Sequence, residues 1–139
     1  MLPGTCDLFS PKAIRATAGS LFNIPVVCSE PDALTDYLES HKIKLYAADV
    51  HAQASLYESD LRQPVAIVFG NEAHGVSKPL LQKADSLLKI PIIGKAESLN
   101  VAMSASICLY EAVRQRGFSI TISHFCRNWL YYLIPMKSK

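Results

Sequence analysis

Residues 65–77 read VAIVFGNEAHGVS, and the fold turns on how the first five give way to the rest. Val65 to Phe69 carry no polar side chain, so the run does not alternate as a half-buried strand would. An apolar run of this length bounded by glycine reads as a strand buried on both faces, as in parallel sheets. Gly70 then stops it, and Asn-Glu-Ala-His-Gly follows at once. Loops at the carboxyl ends of parallel strands are where open α/β sheets take their ligands. Two glycines permit a tight turn and close ligand approach. The same residues also serve a plain strand-to-helix turn with Ser77 as the cap, so this stretch alone leaves turn and site open.

The flanking sequence supports alternating strands and helices. Ser10-Pro11 opens a short helix that Gly19 stops, by the usual cap, first-turn proline and terminal glycine. NIPVVCS, 23–29, is expected as a strand, and Ser29 as the cap of the helix PDALTDYLESHK with Leu34, Tyr37 and Leu38 on its apolar stripe. IKLYAAD, 43–49, is a second strand, Val65–Phe69 a third, and SLLKIPI, 86–92, a fourth, after a helix opened by Ser77. The longest helix is expected over Leu99–Arg116, capped by Ser98 and ended by Gly117. This order predicts an α/β fold with a mostly parallel sheet flanked by helices.

Composition narrows the function. The 139 residues are 50% hydrophobic and 19% charged, ordinary for one globular domain, and a net charge of +2 does not by itself argue for a nucleic-acid partner. The four cysteines are far apart with no Cys-x-x-Cys pair, which predicts no metal and reduced thiols in a cytoplasmic protein. MLPGTCDLFSPK has neither the basic nor the apolar region of a signal peptide. The stretch 118–139, FSITISHFCRNWLYYLIPMKSK, is strand-like at Phe118–Ile122 and then densely aromatic, yet too interrupted to span a membrane. A segment packed on the core or on a partner is the expectation there.

KIPIIGKAESLNVAMSA, 89–105, repeats the design of the opening stretch: a strand, a glycine turn at Gly94, a polar loop and a helix start. Free N–H groups at a helix start suit a carboxylate or an oxyanion. Ser98 and Asn100 are equally at home there as ordinary cap and first-turn residues.

Taken together, FGNEAHG and IPIIGKAESLN, followed by VAMSASICLYEAVRQR, resemble the second and third motifs of the SpoU family. These are AdoMet-dependent RNA ribose 2′-O-methyltransferases of the SPOUT superfamily. The pattern is met at Gly70, Glu72, Gly75, Ile90, Pro91, Gly94, Ser98, Leu99, Asn100 and Val101, and FSPKAIRATAGSLFNIPVV looks like the family's preceding segment. The resemblance implies a C-terminal trefoil knot, a fold feature otherwise close to absent. It implies S-adenosyl-L-methionine held mainly by backbone groups, with Gly70, Ile90 and Leu99 facing adenosine and Asn71, Glu72, Gly75, Ile92 and Ser98 nearby. It implies Glu72, Ser98 and Asn100 as shapers of the catalytic site, ribosomal or transfer RNA as substrate, and a homodimer through the Leu99–Arg116 helix.

Further expectations follow. The family's first motif, Asn-x-Gly and a helix carrying an Arg that helps activate the ribose hydroxyl, has no match and would lie upstream of Met1. Methyl transfer is therefore expected to be impaired, or the chain to be an inactive remnant or interaction module that still binds the donor or a partner. Residues 1–117 are read as an N-terminally truncated methyltransferase domain and 118–139 as a foreign tail, the product of a larger or disrupted reading frame. Lys12 and Arg15 are candidate RNA-phosphate contacts, and His74 a solvated loop residue. Glu111 is expected as a helix-face charge paired with Arg114 or Gln115, and Met103 in the core or a dimer interface.

Overall fold

A computed structural model describes residues 1–71, 74–94 and 98–117. Glu72 and the tail expectations for 118–139 lie outside the described residues.

Three parallel strands form the sheet: β1 (Lys44–Ala48), β2 (Val65–Phe69) and β3 (Ser86–Leu88), in the order β2-β1-β3. Helices α2 (Pro31–Ser40) and α3 (Lys78–Lys83) cover one face, and α4 (Val101–Gln115) covers the other; α1 (Pro11–Ala16) buries no residue. On the first face Leu34, Leu38 and Leu80 pack with Leu45, Ala47, Ala66 and Val68. On the second, Ala105, Cys108 and Ala112 pack with Tyr46, Val65, Ile67, Phe69 and Leu88. Every side chain of β2 is thus buried, whichever way it points, which is why its sequence does not alternate. Small residues at 105, 108 and 112 let α4 lie close to the sheet. Burial pushes the Cys108 thiol up to about 12, so it sits in the core as a neutral apolar group.

The 23–29 strand is not formed. Ser20–Asn23 make a 3-10 turn, and further on the segment meets the chain start, where Ser29 N–H donates to the Met1 carbonyl at 2.9 Å and the Met1 amine donates to the Val27 carbonyl. Pro25 has no N–H to give a ladder, and Ile24, Val26 and Val27 are exposed. The fourth expected strand is shortened to Ser86–Leu88. Its continuation is one bridge, Lys89 to Ser55, before Pro91 ends the pairing.

Helix ends follow the expected chemistry only in part. Ser10 Oγ accepts from Ala13 N–H and Pro11 is the first helical residue, but α1 stops at Ala16, short of Gly19. Glu30, not Ser29, stands at the start of α2 without a side-chain cap, and Tyr37 is on its exposed side. Ser77 precedes α3 without a side-chain bond.

The far end of α4 is tied down by a polar cluster. Glu111 is buried rather than a solvated face charge: its carboxylate takes bonds from Arg114 Nε at 2.7 Å and from a second Arg114 nitrogen at 2.8 Å. Gln115 Nε2 donates to the same carboxylate at 2.9 Å. These donors, Arg114 foremost, hold the Glu111 carboxyl below its ordinary value against the opposing effect of burial. A depressed folded-state pKa means stability that is complete above the ordinary glutamate range and lost as pH falls through the folded value. The urea midpoint should therefore fall on acidification below about pH 4, and Glu111→Gln should flatten that slope. The effect is modest, because the Arg114 side chain is 57% exposed and its end of the pair is screened by water.

Candidate functional site

Strand register starts both glycine-bearing segments from one edge of the sheet. Ala48 is level with Phe69 on one side and with Leu88 on the other. The chain therefore leaves all three strands at the same height, through Asp49, Gly70 and Lys89. With neighbouring strands about 4.8 Å apart, the ends of β2 and β3 lie about 10 Å apart with β1 between them. That span suits a small ligand laid across the carboxyl edge.

The first turn is closed by its own backbone. Asn71 N–H donates to the Gly75 carbonyl at 3.1 Å, and Gly75 N–H returns to the Asn71 carbonyl at 2.7 Å. Asn71 Oδ1 accepts from His74 N–H at 3.3 Å, and His74 is exposed. Gly70 sits so close to the returning strand that an added Cβ would lie 1.9 Å from the Gly75 carbonyl carbon. Gly75 needs its freedom for another reason, a φ of +67°, with open space where a side chain would stand. Gly94 in the second turn has φ +109° and the same open surroundings.

The second turn runs from Lys89 to the start of α4. Ile90 packs against the α4-side core, Ile92 and Leu99 are half-buried, and Ser98 is exposed. The expected cap is corrected here: Asn100, not Ser98, begins α4, its Oδ1 accepting from Met103 N–H at 2.8 Å. The sequence offers both residues as caps. The face carrying Ala105, Cys108 and Ala112 packs on the sheet, and within that packed helix the first turn is closed by Asn100. Asn100→Ala should cost about 1 kcal/mol in urea unfolding, whereas Asn100→Asp, which keeps the acceptor, should cost much less.

A third segment at this edge was not anticipated. From Asp49 the chain crosses the end of β3, with Asp49 N–H donating to the Leu88 carbonyl at 3.0 Å. It then grips Lys89 from the outer side: Lys89 N–H donates to the Ala54 carbonyl at 3.0 Å, and Leu56 N–H to the Lys89 carbonyl at 2.8 Å. Asp49 Oδ1 accepts from His51 N–H at 2.7 Å, shaping the bend. The central position of β1, which brings this loop to the edge, has no sequence signature.

Lys12 and Arg15 lie exposed on α1, and among the described residues no hydrogen bond joins that helix to either turn. No group of three or more His, Cys, Asp or Glu able to hold a metal is found among the described residues, nor a helix long and apolar enough to cross a membrane.

Residues 1–110 match the model of the SpoU rRNA Methylase family. The chain belongs to that family. Over 116 residues it is 37% identical to the 23S rRNA (uridine(2479)-2'-O)-methyltransferase of Streptomyces viridochromogenes, covering 79% of this chain and 40% of that one. Over 107 residues it is 39% identical to the 23S rRNA (guanosine(2553)-2'-O)-methyltransferase RlmP of Bacillus subtilis strain 168, covering 77% and 43%. Among solved structures, the SpoU methyltransferase AviRb from Streptomyces viridochromogenes, in complex with AdoMet, superposes with a TM-score of 0.77. That match has 36% identity over 83% of this chain and 46% of the other. The chain thus spans less than half the length of these SpoU relatives.

Proposed function

We propose that this chain binds S-adenosyl-L-methionine between the 70–76 and 89–100 turns and takes part in ribose 2′-O-methylation of ribosomal or transfer RNA. The observation that supports the reading is the level register of Ala48, Phe69 and Leu88, from which both glycine-bearing segments leave at one edge. Gly70 and Gly75 let main-chain groups approach the ligand, with Asn71 and Glu72 beside them. Ile90, Ile92 and Leu99 supply a half-buried apolar wall suited to adenine, and Ser98 stands at its rim. When bound, the sulfonium supplies an electrophilic methyl group to a ribose oxygen. Glu72, Ser98 and Asn100 shape the pocket for that oxygen, Asn100 chiefly by fixing where α4 starts. Lys12 and Arg15 are offered to RNA phosphate.

Further features belong to the same reading. A trefoil knot is supported by the way 49–56 passes round Lys89 while α4 is fastened to 59–63. A homodimer through α4 is supported by its outward side, where Met103 is 54% and Tyr110 64% exposed. Residues 1–117 are read as the methyltransferase unit, and a cytoplasmic location fits work on ribosomal or transfer RNA.

Calorimetric titration with AdoMet tests the reading. Saturable one-site binding is expected, and no heat at millimolar donor would overturn it. Labelled methyl transfer into RNA then separates an active enzyme from binding without turnover.

A further inference from the structure

The Gln115 side chain, at the opposite end of α4 from the proposed donor site, connects to that site through an unbroken series of hydrogen bonds. Its Oε1 accepts from Leu61 N–H at 2.9 Å and its Nε2 donates to the Ser59 carbonyl at 2.9 Å. Ser59 is the pivot. Its N–H donates to the Leu56 carbonyl at 3.2 Å and its hydroxyl to the Ser55 carbonyl at 3.0 Å. Ser55 and Leu56 are the residues bridged to Lys89, and the next residue is Ile90. Beside Gln115, Arg116 Nε donates to the Leu61 carbonyl at 2.7 Å, so the segment is pinned at two points.

We propose that Gln115 is a positioning residue for donor binding, setting the 54–59 segment against Lys89 and thereby the Ile90–Ile92 wall. The proposal rests on the donor site described above. A side-chain amide suits this role because it meets a backbone N–H and a backbone C=O at once, as another strand would. Glu111, itself buried and satisfied by Arg114, receives the remaining Nε2 hydrogen and fixes the amide's orientation. Among the described residues, the neighbouring charged groups each have a partner: Asp60 is paired with Arg62, Glu111 with Arg114, and Arg116 donates to the Leu61 and Gln63 carbonyls.

The test uses the full chain. Gln115→Ala should weaken AdoMet about five- to tenfold by calorimetry, as loss of one or two net hydrogen bonds predicts. It should also speed amide exchange at Leu56 and Lys89 without ligand. Ser59→Ala, which leaves α4 untouched, should change both readouts in the same direction even if the first variant folds poorly. Gln115→Glu sets a second carboxylate against Glu111 and the Ser59 carbonyl. Its affinity should be poor at about pH 8 and recover towards wild type at about pH 5.5, as the pair takes up a proton. Wild-type protein should show no such recovery. Unchanged affinity and unchanged exchange at Leu56 and Lys89, with only a lowered melting temperature, would reduce Gln115 to a stability role and overturn the proposal. Failure of wild type to bind AdoMet would instead overturn the site, and the ligand-free exchange still reads the linkage by itself.

Discussion

Gly70→Ala should cost about 3 kcal/mol or more of stability in urea unfolding and lower AdoMet affinity by at least about two orders of magnitude. The added carbon would meet the Gly75 carbonyl carbon at 1.9 Å, Val76 N at 2.1 Å and the Gly75 oxygen at 2.3 Å. All three are backbone atoms, so no rotamer change relieves the overlap. Either β2 moves away from its turn or the paired Asn71–Gly75 bonds open, and both outcomes displace the first wall of the pocket. Gly75→Ala is the control. It meets nothing within 4 Å and bears only the cost of a left-handed backbone, about 1–2 kcal/mol. Equal losses for the two variants would refute the account based on close approach.

Leu88→Ala should be the most damaging of the simple truncations near the site, at about 3 kcal/mol, with a melting temperature lower by more than about 10 °C. Leu88 is 0% exposed and shares its cluster with Tyr46, Phe69, Cys108 and Ala105. Its removal leaves a cavity between sheet and α4, one residue before Lys89. Donor binding should therefore weaken with stability, as calorimetry and thermal scans on one preparation would show. Leu88→Met, which keeps most of the volume, should cost less than about 1.5 kcal/mol. A truncation cost near zero would mean that α4 does not press on β3 as described.

What could be read from the sequence follows from which interactions are local. Val65–Phe69 was legible to the residue because two-sided burial writes itself as an uninterrupted apolar run. The helix 101–115 was legible from its periodicity, and Gly70, Gly75 and Gly94 from the bends they permit. The cap at Asn100 was not, since Ser98 and Asn100 are chemically equal and only the packing of α4 chooses between them. The 23–29 segment has strand composition, but pairing needs a neighbour, and none of the three strands is hydrogen-bonded to it. Glu111 shows the same limit. Its partners at 114 and 115 are visible at helical spacing, whereas its burial is set by tertiary packing that local spacing does not record. The pocket's third segment, 49–56, escaped for that reason too: the rank of β1 as the middle strand is a property of the assembled sheet.

The slot around Lys89 also bears on how the molecule is made. β3 is bounded by β1 on one side and by the Ala54–Leu56 stretch on the other, and both belong to chain laid down before it. A short strand that must seat between two earlier segments gains its contacts only once those segments are in place. Its insertion, rather than the strength of any single bond, is then the slow event in renaturation, as expected where pairing joins residues far apart along the chain. The same late insertion delivers Ile90 to the carboxyl edge, so the proposed donor site is completed only when β3 is seated and the core around Leu88 closes.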